Sequence, residues 1–211
     1  MLVNFRPLPD QIAPPALFRA AASMAAFAAA DRVVAMPIVH AVIDLRTDEE
    51  VGRNAFTFGN AAHVRRPLAA RPLRSAGGAV EDADRTEWYV QMLIGFVAEI
   101  VDVLSEVASR NKHSCVIVCG LGKDRTGVVS AALLTVAGVA RPHIFEDFAR
   151  SEASLPPALP IERRRAPART LESALDIVEQ RCGGLIAHLR RNGLTELTEA
   201  ALRHRFRGVR T

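Results

Sequence analysis

The stretch Ser114-Cys-Val-Ile-Val-Cys119-Gly120-Leu-Gly122-Lys-Asp-Arg125-Thr-Gly127 constrains the fold more tightly than any other part of the chain. Its apolar start, Ser114 to Val118, has the length and β-branched content of a buried strand. Two glycines follow and let the backbone turn sharply. Val128 to Val136 then continues as an apolar helix, which Gly138 stops. A buried strand that feeds a helix through a short glycine turn belongs to an α/β protein.

The flanking segments extend that architecture. Val39 to Leu45 is short and β-branched, so it reads as a second strand, whereas Ala20 to Ala30 is alanine-rich and reads as a helix. Thr86 to Arg110 carries an apolar stripe at Tyr89, Leu93, Phe96, Val97, Ile100, Val101 and Leu104, the pattern of one long helix facing a core. Further helices are expected over Pro142–Ser151, Thr170–Cys182 and Thr195–Arg205. The Pro- and Arg-rich stretch Leu155 to Ala168 reads as a long loop lying beside the glycine turn. The expected fold is α/β, a central and mostly parallel sheet flanked by helices, with residues 1–211 forming one domain.

Composition narrows the class. Hydrophobic residues make up 49% and charged residues 24%, a globular balance that argues against disorder. No apolar run reaches the roughly 20 residues that span a bilayer. The opening Met1-Leu-Val-Asn-Phe-Arg-Pro7 lacks a basic segment followed by an apolar one, so no secretion signal is expected. Cys115, Cys119 and Cys182 do not form a disulfide framework, and a reducing cytoplasmic setting is expected. The net charge of +4 is carried mainly by arginine, since Lys112 and Lys123 are the only lysines. The arginine runs at 163–165 and 203–210 lack interleaved aromatics, so a solvated basic surface that favours anionic substrates is expected, not a nucleic-acid partner.

A glycine turn between strand and helix presents backbone N–H groups to one spot, where the helix macrodipole also favours an anion. Gly120, Leu121, Gly122, Lys123, Asp124 and Arg125 are therefore expected to cradle a phosphate. A cysteine at that spot feels the same field, which favours its thiolate. Arg125, six residues after Cys119, can fold back over the turn and offer its planar fork to two phosphate oxygens. Thiolate attack on phosphorus then gives a phosphocysteine that water hydrolyses. The Thr126 hydroxyl is expected to hydrogen-bond the sulfur and help it leave. The string is not a Walker A loop, because no glycine lies five positions before Gly122 and no Ser or Thr follows Lys123. The histidines show no metal-ligand spacing, and this chemistry needs neither metal nor cofactor.

The full string resembles the Cys-x5-Arg loop of the protein tyrosine phosphatase superfamily in its Gly-Lys-Asp-Arg-Thr-Gly form. Over almost the whole chain the match is to the bacterial tyrosine phosphatase family that includes a mycobacterial tyrosine and lipid phosphatase. Asn4-Phe5-Arg6, Leu17-Phe18-Arg19, Val42-Ile43-Asp44-Leu45-Arg46 with Glu49 or Glu50, and Asp147-Phe148-Ala149-Arg150-Ser151 are similar to that family's segments. The resemblance implies Cys119 as nucleophile, Arg125 as phosphate clamp and the loop amides as cradle.

The leaving oxygen needs a proton donor. Many relatives supply it from a separate loop, but the corresponding His63 to Ala70 holds no carboxylate. Asp124 is then the preferred acid, with a loop-shaping role as its alternative and Asp82 or Asp84 as other donors. Lys123 is expected to point toward the substrate as a second positive charge, its alternative being a surface lysine. Arg46 either reaches the substrate phosphate or pairs with Asp44 or a glutamate, and Arg6 and Arg19 pose the same choice. Val118 stands where the family has histidine, and Leu121 where it has alanine, with bulk enough to reshape the pocket floor. Trp88 and Tyr89 read as core residues. Three functions fit. The chain is a phosphotyrosine phosphatase acting on phosphoproteins, a phosphatase for a small phosphorylated metabolite (a nucleotide, sugar phosphate or phosphoinositide, as in a nucleoside antibiotic pathway), or an inactive phosphate-binding module.

Overall fold

Alternation along the central strands decides where the core lies. The computed structural model describes residues 3–8, 16–22, 38–70 and 81–207. Within them, β1 (Arg6–Pro7), β2 (Leu17–Ala21), β3 (Ala41–Asp44), β4 (Ala62–Arg65) and β5 (Cys115–Cys119) form one sheet in the order β1-β2-β5-β3-β4. β1 is antiparallel to β2, and every other pairing is parallel. The mostly parallel α/β sheet expected from the sequence is therefore present. β5 is central and buried on both faces. Cys115, Ile117 and Cys119 enter the main core with Leu17, Ala41 and Ile43. Val116 and Val118 enter a smaller cluster with Phe18, Ala20, Val42 and Phe56 on the other face. A strand buried on two sides needs apolar residues at every position, which explains its unbroken hydrophobic run. A one-residue slip would carry Cys119 to the wrong face.

The helices pack mainly on the Cys119 side. They are α1 (Asp48–Arg53), α2 (Asp82–Gly95), α3 (Val97–Ser109), α4 (Asp124–Ala137), α5 (Arg141–Ala153), α6 (Ile161–Arg164), α7 (Ala168–Cys182), α8 (Leu185–Arg191) and α9 (Glu196–Arg205). α4 is the hub: ten of its fourteen residues are buried, and it touches α2, α3, α5, α8 and α9. Such a helix is apolar nearly all round. It ends at Gly138, whose left-handed φ of 83° caps it as expected.

Several expectations need correction. The long helix over Thr86–Arg110 is two helices broken at Phe96 (φ −119°, ψ 31°), directly after Gly95. Glycine weakens the helix there, and the two halves serve different partners, α2 packing on α7 and α3 on α9. The central strand runs one residue later than Ser114–Val118, which makes Cys119 its last residue. Ala20 and Ala21 close β2 and are not helical, because β5 offers them a hydrogen-bonding edge. Residues 23–30 of that expected helix lie outside the described residues. The Leu155–Ala168 stretch contains the short helix α6.

Candidate active site

Between the end of β5 and the start of α4 the chain makes its turn through Gly120, Leu121, Gly122 and Lys123. Gly122 has φ +64°, and a Cβ there would fall 2.4 Å from the Ala20 carbonyl. Only glycine fits. Gly127 is the second tight spot, since its Cβ would lie 2.7 Å from the Phe148 ring. The turn's carbonyls are tied back from behind. Asn4 Nδ2 donates to the Gly122 oxygen (2.8 Å) and the Leu121 oxygen (3.2 Å). The Arg19 guanidinium donates to the oxygens of Gly122 (2.8 Å) and Lys123 (3.3 Å). Among the described residues, none of the backbone N–H groups from Gly120 to Thr126 donates to a protein acceptor. A row of free amides at a helix start, with a left-handed residue inside it, is an anion nest.

Arg125 folds back as the spacing suggested, its guanidinium lying 4.0 Å from where a Gly120 Cβ would be. Glu50 holds it with both oxygens, Oε2 accepting from NH1 at 2.6 Å and Oε1 from NH2 at 2.5 Å. Glu50 is itself fixed by local chemistry, because it is the third residue of α1 in a capping box. The Thr47 N–H donates to Oε2 (2.9 Å), and the Glu50 N–H donates to Thr47 Oγ1 (3.3 Å). Burial works to raise the Glu50 carboxyl, but the Arg125 and Thr47 bonds overcome it and hold the carboxyl at about 2. For Arg125, burial opposes the charge, yet the Glu50 bond and the charge on Cys119 prevail and raise its pKa. The role of Glu50 is absent from the sequence reading. Its one local signal is the Thr47-x-x-Glu50 box just after the Asp44-Leu-Arg46 strand end.

Behind the turn lies a polar cluster. The Lys123 ammonium is buried, donates to the Arg165 oxygen at 2.8 Å and lies 3.2 Å from Asp124 Oδ1. Lys123 is thus neither a surface lysine nor a free charge aimed at substrate, because the Leu155–Ala168 stretch covers it. Burial lowers its pKa, while the charges of Asp124 and Cys119 pull it back up. Asp124 Oδ1 also accepts from the Tyr89 hydroxyl at 2.6 Å and faces Arg85 NH1 at 3.4 Å. Tyr89 is in the core as expected, but its oxygen serves the loop.

The remaining site residues separate by their partners. Cys119 closes β5 and is almost fully buried. The Thr126 hydroxyl, near the start of α4, is buried and has no hydrogen-bond partner among the described residues. Arg46 grips Asp44, with NH2 to Oδ2 at 2.7 Å and Nε to Oδ1 at 3.0 Å, and also donates to the Asn54 oxygen. Both residues are buried, which assigns Arg46 to the structural pairing of its two readings. Arg6 and Arg19 are structural as well, pairing with Asp147 and Ser151 behind the turn. Asp82 Oδ2 pairs with Arg169, and with Arg165 at 3.5 Å, while Asp84 makes no polar contact among the described residues. Leu121 packs on the Val3, Ala21 and Leu155 cluster. Val118 is sealed in the smaller apolar cluster, on the face opposite Cys119. All three cysteines are free. Cys182 ends α7 next to the groove that Gly183 and Thr135 line, near the C-terminal end of α4. That is roughly 20 Å along α4 from the turn.

A central parallel strand, a free-amide glycine turn and the N-terminus of a buried helix define a protein tyrosine phosphatase-like α/β fold. Residues 6–208 match a tyrosine phosphatase family, and the chain belongs to that family. It is a protein tyrosine phosphatase-like phosphoric monoester hydrolase. No curated protein matches it. No helix among the described residues is long and apolar enough to cross a membrane.

Proposed function

We propose that the chain hydrolyses phosphate monoesters through a phosphocysteine on Cys119, without metal or cofactor. The row of free amides from Gly120 to Thr126, with Arg125 folded over its first glycine, carries this reading. The phosphoryl oxygens take hydrogen bonds from the amides and two from the Arg125 fork. Cys119 Sγ, as the thiolate, attacks phosphorus while the bond to the leaving oxygen breaks. Asp124 gives that oxygen its proton. Water then attacks the phosphocysteine, Asp124 takes a proton back, and the S–P bond breaks to release phosphate and the thiolate. The Thr126 hydroxyl, which has no partner of its own, is free to donate to the sulfur as charge returns to it.

Phosphotyrosine on a protein and a small phosphorylated metabolite are the two substrate classes for this site. Leu121 packs with Leu155 and Lys123 donates to the Arg165 oxygen, so neither side chain decides between the two classes. A reducing cytoplasmic setting agrees with three free cysteines.

The test is hydrolysis of an aryl phosphate in EDTA by the wild type and by Cys119→Ser. Turnover is expected from the wild type and none from the variant. No wild-type turnover between about pH 5 and 8, the range bracketing ordinary acid–base catalysis, would overturn the enzyme reading in favour of an inactive binding module. Phosphopeptides, nucleotides, sugar phosphates and phosphoinositides at equal concentration then assign the substrate class.

A further inference from the structure

Tyr89 carries a hydroxyl that packing alone does not require. Its ring is fully buried in the main core, tilted against Trp88 (centroids 5.9 Å apart) and edge-on to Phe148 (5.7 Å). Phenylalanine would fill that space equally well. A buried phenol must find a partner, and this one finds Asp124 Oδ1 at 2.6 Å, across 35 positions of sequence. Oδ1 also faces Lys123 Nζ at 3.2 Å and Arg85 NH1 at 3.4 Å. Arg85 is in turn fixed from the Leu155–Ala168 side, donating to the Glu162 oxygen at 3.3 Å. The other carboxyl oxygen, Oδ2, accepts from no group among the described residues.

We propose that Tyr89 is the positioning residue for the proton donor. Its hydroxyl locks Asp124 by Oδ1, so that the transferable proton resides on Oδ2, the oxygen free to meet the leaving group. This rests on the reading of Asp124 as the acid. A carboxyl held by one oxygen keeps its orientation through the cycle, and restoring a lost orientation is what costs rate in such sites. Tyr89 keeps its own proton throughout: burial, and then the charge of Asp124, push the phenol well above its ordinary range, so it remains a donor. The groups facing the carboxyl are Arg85 and Tyr89 from α2 and Lys123 from the turn, with the Arg125 guanidinium close enough to feel its charge. Of these, Tyr89 is the neutral one that can be cut back without changing the site's charge.

Removing the hydroxyl costs Asp124 its alignment, which matters most where the leaving oxygen most needs a proton. The experiment compares the wild type, Tyr89→Phe, Asp124→Asn and the double variant on aryl phosphates that span good to poor leaving groups. For Tyr89→Phe, kcat is expected to fall about tenfold on the poorest leaving group and little on the best. In the Asp124→Asn background the same change should have no further effect. An equal loss on every leaving group, or an additive loss in the double variant, would make Tyr89 a packing residue and end this proposal alone. If Asp124→Asn itself leaves the basic limb and the leaving-group dependence unchanged, the acid reading falls, and this proposal falls with it. Unfolding by urea, followed on both single variants, separates these losses from misfolding.

Discussion

Two arginine–carboxylate pairs stand one strand apart, and the proposed function gives them opposite jobs. Arg46 and Asp44, at the end of β3, have side chains only 2% and 0% exposed. Arg125 and Glu50, at the turn, are 13% and 34% exposed. The chemistry is the same in both: a planar guanidinium held by both oxygens of a carboxylate. The Arg46 pair is enclosed and gives a further donor to the Asn54 oxygen. It joins a strand end to the close of α1, and no ligand can reach it. The Arg125 pair is open on the side of the free amides, so its carboxylate fixes the fork while leaving donor capacity for phosphate oxygens. On the proposed function, exposure is what separates a clamp on substrate from a clamp on the fold.

The sharpest break in that contrast comes from removing each pair's charge. Arg125→Met is expected to lower kcat/KM for an aryl phosphate about a thousandfold, or ~4 kcal/mol of transition-state stabilisation. Its urea midpoint should fall less than that of Asp44→Asn, because the pair it breaks is partly solvated. Asp44→Asn should show the reverse. Stranding the buried Arg46 charge is expected to cost ~3–5 kcal/mol of folding stability, read from denaturant unfolding, with kcat/KM per folded molecule nearly unchanged. A large activity loss in folded Asp44→Asn protein would erase the distinction.

Glu50→Gln sharpens the comparison at the turn. It leaves Arg125 in place with a weaker, neutral anchor, so kcat/KM is expected to fall about 10- to 100-fold, in line with a small misplacement of a clamp. The same variant tests the pH dependence. The folded carboxyl titrates at about 2, below its ordinary 4.5. Its contribution to stability is therefore complete above about pH 4.5 and disappears as the pH falls toward 2. The stability gap between wild type and Glu50→Gln should close across that window, and a constant gap would deny the coupling. The smallest effect is expected from Thr47→Ala, which removes the cap beneath Glu50 and costs ~1 kcal/mol of stability, with an activity loss below that of Glu50→Gln.

The turn was legible in the sequence because its constraints are local. A glycine must occupy position 122, where φ is positive and the Ala20 carbonyl is too close for any Cβ. An unbroken apolar run marks β5, and Arg125 is placed by the helix it starts. The partners were less legible because they are distant along the chain. Glu50 lies 75 positions from Arg125, and Tyr89 lies 35 from Asp124. The stripe that located Tyr89 on a core face is blind to what its terminal oxygen meets. The setting of Lys123 was hidden for the same reason. A charged or bulky residue beside a phosphate turn looks solvent- or substrate-facing until a covering segment, here Leu155 to Ala168, is folded over it.

The sequence by itself determined the strand, the glycine turn, the buried helix and the Cys119–Arg125 spacing, since backbone sterics and hydrophobic period act within a few residues. The tertiary structure alone decided which carboxylate holds the clamp, which hydroxyl holds Asp124, and that Arg46 serves the fold. Each of those depends on side chains that meet only because the parallel crossovers bring β3, α1 and α2 to the same end of β5, and on how much water is excluded where they meet.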